Sequence, residues 1–506
     1  MKNELPIHHR PQWKSKLGFI LATIGSAVGL GNIWRFPYMC YENGGFTFLV
    51  PYLTALLVVG IPLMILEVGM GHKFRGSAPV CFADTDRRWE WLGWWQVIFV
   101  MFGIVLYYSV VISWCVNYFT FSFTGAWGSD PDTFFLGEFL GVSSGGPFDV
   151  GNIQSKLLLA LFLVWFVQWL ICFNGVEKGL ERANKIFMPL LFILTLFITF
   201  FSFTLPGAWD GVRAYIFPGD MSVVAEKLTD MKVWTSAFSQ IFFTLSLGFG
   251  IIMAYASYLP RKTDIVKDSL IVCVANSIFS IVAGFAVFSV LGFMAAEQGV
   301  AISEVVTKSI GLAFVAFPKA ISMMPASKLF GSVFFAMLVV AGISSAISII
   351  EAFTSAIIDK FAYSRKTVVS FVCVFGFLGS LLFVTNAGLL WLDIVDHFLT
   401  NYGLVLGAVF ECVLAGWLLR AHVLRAHINS VSDVRLIKFW DISVMYIAPA
   451  VLVIILLQSL ITEFTSAYEG YSVVSLIVIG RDWLMYTFCA ALVVSSHPWK
   501  TIIEKK

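Results

Sequence analysis

GSAVGLGNIWRFPY, residues 25–38, is the stretch on which the reading of this chain turns. It lies inside the first long apolar run, 16–40, yet Gly25, Gly29 and Gly31 are accompanied by Asn32, Arg35 and Pro37. Small residues let membrane helices approach closely, which explains the glycines. They do not explain Asn32 and Arg35, because an ionisable group near the middle of a bilayer is costly and marks a functional site. QIFFTLSLGFG, residues 240–250, has the same character: Gln240, Thr244 and Ser246 precede Gly248 and Gly250 inside the run 233–258. Both stretches read as membrane helices interrupted at mid-depth.

Outward from them, the chain is apolar throughout. Of 506 residues, 59% are hydrophobic and 13% charged, about half the charged share of an average soluble domain. The mean hydropathy is +0.86. A bilayer core needs about 20 apolar residues per helix. Twelve runs qualify: 16–40, 45–71, 92–124, 155–173, 179–204, 233–258, 265–293, 326–360, 366–386, 389–421, 438–464 and 473–497. The sequence predicts an all-α integral membrane protein of about 12 transmembrane helices forming one membrane domain over 1–506. The segments 205–232 (with Pro206, Gly207 and Pro218) and 126–154 read as outside loops. In 294–325, short re-entrant or surface helices are expected.

Alternate loops are basic, from Lys14 and Lys16 before the first run to Lys500, Lys505 and Lys506 at the end. The segment 126–154 carries Asp130, Asp132, Glu138 and Asp149 and no Lys or Arg. The excess of Lys and Arg on cytoplasmic loops then places both termini in the cytoplasm. Net charge of +2 and the absence of a basic tract give no reason to expect nucleic acid. The eight cysteines lack metal-ligand spacing and read as small buried hydrophobes. No signal peptide is expected, since the first apolar run contains glycines and lacks a small-residue cleavage site.

The two interrupted runs open two successive five-span blocks, 16–204 and 233–421, followed by two further helices in 438–497. Five is odd, so the second block runs inverted relative to the first, and paired interruptions in such halves point to a midplane binding site. Where a helix unwinds, carbonyls are freed for a cation, and the next half-helix offers N–H groups and positive dipole to an anion.

At these residues the chain resembles the neurotransmitter:sodium symporter family, its bacterial leucine-transporter type included. The resemblance spans nearly the whole chain, through GSAVGLGNIWRFPY (25–38), ENGGFTFLVPY (42–52), GIPLMILEVGMG (60–71), YYSVVISW (107–114), GVEKGLERANKIFMP (175–189), QIFFTLSLGFG with YASY (240–258) and AGISSAISIIE (341–351). It implies spans 1 and 6 unwound at mid-membrane and a first sodium site on the Ala27 carbonyl, Asn32, Thr244 and Asn276. A second sodium site falls on carbonyls of Gly25, Val28 and Ala341 with hydroxyls of Ser344 and Ser345. The implied substrate carboxylate meets N–H groups around Leu30 and Gly31 and the Tyr108 hydroxyl. Its amino group meets carbonyls of Ala27, Phe243 and Thr244 and the Ser246 hydroxyl, and Ile104, Phe243, Phe249, Ser345 and Ile349 shape the side-chain pocket. Amine-carrying members have an aspartate where Gly29 stands, so Gly29 implies a substrate that brings its own carboxylate.

The resemblance also implies two gates. Arg35 and Asp396 close the outer one above Tyr108 and Phe243. Arg10 and Asp359 latch the inner one beside Trp13, Ser257 and Tyr258. Gly179 and Pro189 match a pair the family uses to unwind span 5. One departure concerns chloride. Chloride-independent relatives carry an acid where Ser280 stands, which balances a buried sodium charge. Tyr52, Gln240, Thr244, Asn276 and Ser280 match the chloride set of chloride-dependent relatives, so chloride is expected to supply that balance unless Glu67 or Glu351 lies close enough to replace it.

The expected activity is sodium-coupled, chloride-dependent symport of a neutral, hydrophobic amino acid across a bacterial inner membrane. A betaine-like osmolyte carrier or a non-transporting amino-acid sensor remains open. An antiporter of related fold would not share GLGNIWRFPY, a channel needs no opposed gates, and the scattered histidines give a membrane enzyme no cluster. The sequence leaves oligomeric state undetermined.

Overall fold

The computed structural model describes residues 7–8, 10–217, 221–306 and 309–503. His9, Pro218, Lys505 and Lys506 lie outside the described residues. With no water in the bilayer, each apolar run must satisfy its own backbone groups as helix. Ten spans are long apolar helices: Gly45–Phe74 (span 2), Arg87–Thr124 (3), Ser155–Phe173 (4), Val176–Phe203 (5), Ile265–Gln298 (7), Ser327–Phe361 (8), Arg365–Val384 (9), Gly388–Leu418 (10), Lys438–Gly470 (11) and Val473–Ser496 (12). Span 1 is a pair, Lys16–Ala27 and Leu30–Glu42, bent by 54°. Span 6 is Met231–Thr244 followed by Ile251–Ala256. All twelve expected runs are therefore helical, and both expected interruptions are present.

Some boundaries differ from expectation. Span 3 begins at Arg87 rather than 92, because Asp86 caps the Arg87–Trp89 turn by accepting from Arg88 N at 3.0 Å. The helix of span 11 ends at Thr465, close to the expected bound, and a separate turn Tyr468–Gly470 follows it. The loop 205–232 holds helices Ala208–Ile216 and Met221–Thr229. In 294–325 the apolar Leu312–Met323 is too short to span, as expected. Span 5 is continuous through Gly179 and Pro189, so it is wound in this conformation.

Span 3 is the most enclosed, with 89% of its most apolar stretch buried, against 22% in spans 11 and 12. The outward faces of spans 4, 5, 9, 11 and 12 carry Phe162, Phe192, Phe371, Phe464 and Tyr486, all exposed, as a lipid-facing belt requires. Spans 1, 3, 6 and 8 meet in the interior.

The break in span 6 has a local cause. Ser246, Gly248 and Gly250 have φ of 54°, 76° and 71°. Glycine adopts this left-handed region freely. Ser246 does so at a cost of about 1 kcal/mol and is held there by its Oγ donating to Ser26 O at 3.0 Å. Span 1 breaks more gently: Val28 is extended, and the Gly29 N–H donates to Asn32 Oδ1 at 2.9 Å.

Both chain ends converge on the last turn of span 8. Asp359 takes Arg10 in an ion pair through its carboxylate, while its carbonyl accepts from Thr501 Oγ1. Lys360 O accepts from Lys500 N at 2.8 Å. The buried Lys360 ammonium lies 2.5 Å from Glu90 Oε1 and also donates to Val494 O and Ser495 O, carbonyls in the last turn of span 12. Trp499 Nε1 donates to Glu90 Oε2 at 2.8 Å. Ile7–His8 pairs in parallel with Ile502–Ile503.

A histidine pair ties three elements at the same end. His72 Nε2 lies 3.0 Å from Pro260 O and His72 Nδ1 lies 3.0 Å from His427 Nε2. A carbonyl only accepts, so His72 carries its hydrogen on Nε2 and His427 donates to Nδ1. Burial, then His72 and Lys73, pushes the His427 imidazole down from 6.5 to about 4. The folded protein therefore binds this proton more weakly than the unfolded chain. The stabilisation is complete above pH 6.5 and is lost as pH falls towards 4. Thermal unfolding followed by fluorescence should show Tm falling across that window, and His427→Gln, which keeps a donor, should flatten the fall.

Candidate substrate and ion site

The breaks in spans 1 and 6 face each other, and a cavity of about 320 Å³ lies between them. Every residue expected to hold substrate lines it: Ala27, Leu30, Gly31, Ile104, Tyr108, Phe243, Thr244, Ser246, Phe249, Ser345 and Ile349. The volume is at the lower end for a small-ligand pocket, roughly 300 Å³ upward. At its floor the helix Leu30–Glu42 begins, and the Leu30 N–H donates to Tyr108 Oη at 3.3 Å. The Gly29 notch opens beside them: a Cβ there would stand 3.0 Å from Tyr108 Oη and 3.6 Å from Ser345 Oγ. Free N–H groups and the positive end of a helix favour a carboxylate. Among the described residues, the only acid lining the cavity is Asp396.

Beside the cavity floor is a buried polar knot. Asn32 Nδ2 lies 2.9 Å from Thr244 Oγ1, 2.9 Å from Asn276 Oδ1 and 2.8 Å from Ser280 Oγ. Asn276 Nδ2 donates to Thr244 Oγ1 at 3.2 Å. The knot joins the expected first sodium residues to part of the expected chloride set. Gln240 is buried with both amide atoms unpartnered, and Tyr52 Oη donates to Ser277 Oγ at 3.2 Å. An unsatisfied buried amide costs about 1–3 kcal/mol, so the donors and oxygens present here fit a small ion. The acids that could compete are engaged elsewhere. Glu67 Oε1 accepts from Gly248 N at 2.7 Å, and Glu351 holds Arg365 and Tyr258 Oη.

At the expected second sodium site, Ser344 Oγ donates to Ala341 O at 2.9 Å and Ser345 Oγ to Ser26 O at 3.3 Å. Span 1 ends here as helix, with Val28 N still bonded to Ile24 O and the Gly25 and Val28 carbonyls at its last turn. The oxygens are hard donors of the kind an alkali cation takes.

The two gates are in different states. At the inner end Arg10 pairs with Asp359, donates to Ser257 Oγ at 2.7 Å and lies over the Tyr258 ring at 5.2 Å. Trp13 Nε1 donates to Tyr255 O at 2.8 Å and Trp13 N to Tyr258 O at 3.1 Å. At the outer end Arg35 and Asp396 line the same cavity but form no direct ion pair among the described residues. Asp396 accepts from Tyr107 Oη at 2.5 Å, and Arg35 lies over Phe243 at 4.7 Å. A second cavity of about 440 Å³ adjoins the first through Arg35, His397, Asn401 and Tyr468. The expected inner pair is therefore formed, while Arg35 and Asp396 make no direct ion pair among the described residues.

Three functional contacts were not anticipated: Tyr107 on Asp396, Glu67 on the Gly248 N–H, and Gln96 Nε2 donating to Glu411 Oε2 at 2.8 Å. Paired carboxyls in apolar runs were the available signal for the last two.

The profile of the sodium:neurotransmitter symporter family matches residues 10–130 and 128–500. The chain belongs to that family. An uncharacterized sodium-dependent transporter of Methanocaldococcus jannaschii is 47% identical over 463 residues, covering 91% of this chain and 93% of that protein. As a symporter-family member, the chain is a multi-pass membrane transporter. Membership of the family implies a small-molecule substrate.

Proposed function

We propose that this symporter carries a neutral amino acid inward, coupled to sodium and dependent on chloride, by alternating access. The observation that carries the substrate class is Gly29: no acidic side chain stands beside the Leu30 N–H and Tyr108 Oη, and a Cβ at Gly29 would already stand 3.0 Å from Tyr108 Oη. A substrate carboxylate satisfies the cavity floor, and its ammonium meets the carbonyls freed around Ala27 and Phe243 and the Ser246 hydroxyl. The apolar walls, Ile104, Phe249 and Ile349, suit an uncharged side chain. Asn32, Thr244, Asn276 and the Ala27 carbonyl hold one sodium, in reach of the substrate carboxylate. Gly25, Val28, Ala341, Ser344 and Ser345 hold the second. Support for sodium comes from the family and from the relative's description.

In this reading the inner latch at Arg10–Asp359 must break after Arg35 and Asp396 close above the loaded cavity. A ligand shifts such an equilibrium only by its difference in affinity for the two states. The carbonyls and hydroxyls at the two breaks provide that difference, because their positions depend on how spans 1 and 6 are bent. The architecture is read as inverted repeats 16–204 and 233–421 with 438–497 added, in a plasma membrane with cytoplasmic termini.

The test is uptake of labelled amino acids and betaine into proteoliposomes under an inward sodium gradient, with potassium as control. Sodium-driven accumulation of one neutral amino acid is the expected result. Accumulation of betaine alone would replace the substrate class, and binding without accumulation would favour a sensor. Replacing chloride by gluconate should reduce uptake severalfold, since Ser280 supplies no charge against a buried sodium. Ser280→Glu should remove that dependence. Undiminished wild-type uptake in gluconate would end the chloride assignment.

A further inference from the structure

Span 5 packs against the inner half of span 1 through one face, and that face is lined with oxygen. Glu181, Asn184 and Met188 are spaced i, i+3 and i+7, which places them in line on a helix. Each fits a glycine notch of span 1. A Cβ on Gly18 would stand 2.3 Å from Glu181 Cδ. A Cβ on Gly25 would stand 2.3 Å from Asn184 Oδ1 and 3.1 Å from Met188 Cε. Gly18 and Gly25 are themselves seven apart, so the two rows run side by side.

Glu181 is fully engaged, accepting from Ser15 Oγ at 2.8 Å, Lys14 N at 2.7 Å and Lys185 Nζ at 2.7 Å. Asn184 is not. It is wholly buried, and its Nδ2 donates to Leu180 O at 3.0 Å, which fixes the amide orientation because a carbonyl needs a donor. Oδ1 is then the acceptor, and it has no partner. It lies directly against Gly25, whose carbonyl belongs to the second sodium site proposed above. A buried acceptor of this kind calls for an explanation, and a bound ion or water is a common one.

We infer that the Asn184 carboxamide oxygen is a further ligand for the second sodium, taking the cation on its inward side. The inference rests on the sodium-coupled reading. An alkali cation accepts amide oxygens as readily as backbone carbonyls. The location is asymmetric: the other proposed ligands come from spans 1 and 8, and Asn184 alone comes from span 5. A cation bound here ties span 5 to the break in span 1, and its departure frees the seam. Glu181 is the next oxygen along the same face towards Lys14.

The test is the sodium dependence of thermal stability of the full-length protein in detergent, with potassium as control, so that no transport is required. Asn184→Leu keeps the branched shape but removes the oxygen, together with the Nδ2 donor to Leu180 O. It should raise the sodium concentration at half-maximal stabilisation by roughly tenfold, the size of one lost ion–dipole contact. Asn184→Asp adds a charge and should lower it, an outcome that packing alone does not produce. An unchanged midpoint in Asn184→Leu would overturn the assignment. If Asn32→Ala still weakens sodium stabilisation in that case, the coupling reading stands and only Asn184 falls. If the wild-type protein gains no stability from sodium, both fall together.

Discussion

Asn32→Ala should lower sodium-driven uptake by at least about 100-fold. The side chain does two jobs at once. Its Oδ1 accepts from the Gly29 N–H and so fixes the break in span 1, while Nδ2 faces Thr244, Asn276 and Ser280 on spans 6 and 7. An amide nitrogen has only two hydrogens for those three oxygens, so the knot is frustrated until another group joins it. Losing both ends of the amide removes two contacts of about 1.5 kcal/mol each, and every 1.4 kcal/mol is tenfold. Asn32→Asp separates the roles, because it keeps the acceptor for Gly29 and loses the donor. It should keep the break in span 1 and still fail in uptake. Uptake above one tenth of wild type in Asn32→Ala, in protein shown to be monodisperse, would contradict this account of the site.

Lys360→Met carries the largest expected stability loss, about 3–5 kcal/mol. Lys360 and Glu90 are both almost completely buried, and each side chain satisfies the other. Among the described residues, removing the ammonium leaves the carboxylate held by Trp94 Nε1 and Trp499 Nε1 and takes one donor each from Val494 O and Ser495 O. The conservative change in volume isolates the charge. Adding Glu90→Gln should recover much of the loss, since a neutral amide pays less for burial. Tm in detergent for the two single variants and the double variant provides the cycle. A double variant no more stable than Lys360→Met would show that packing rather than charge dominates.

Much of the fold was legible because its decisive features are local. A glycine-and-polar interruption inside an apolar run stands out without any knowledge of neighbours, and spans 1 and 6 break where residues 25–38 and 240–250 say they should. The cavity lining was legible through family resemblance, and the structure brings all of those residues together. What stayed hidden depends on facing. Tyr107 and Tyr108 are adjacent, but successive helix positions point about 100° apart. One hydroxyl reaches Leu30 N and the other Asp396, and nothing in YY says which. Ser246 gave no sign of its left-handed backbone, because serine rarely adopts one and here a hydrogen bond to Ser26 holds it. The Glu67–Gly248 contact and the Lys360–Glu90–Trp499 cluster join residues far apart in sequence, where pattern carries no register.

The meeting of both termini on Asp359 and Lys360 makes the two ends of the chain a natural readout of the inner gate. Ile7 lies opposite Ile502, so a donor and an acceptor fluorophore attached at those two positions start at close range. In the proposed cycle, inner opening pulls Arg10 from Asp359, and with it the first strand from the last. Energy transfer between such labels would then fall once per cycle, turning an unmodified transport pathway into an optical signal without any label in the cavity.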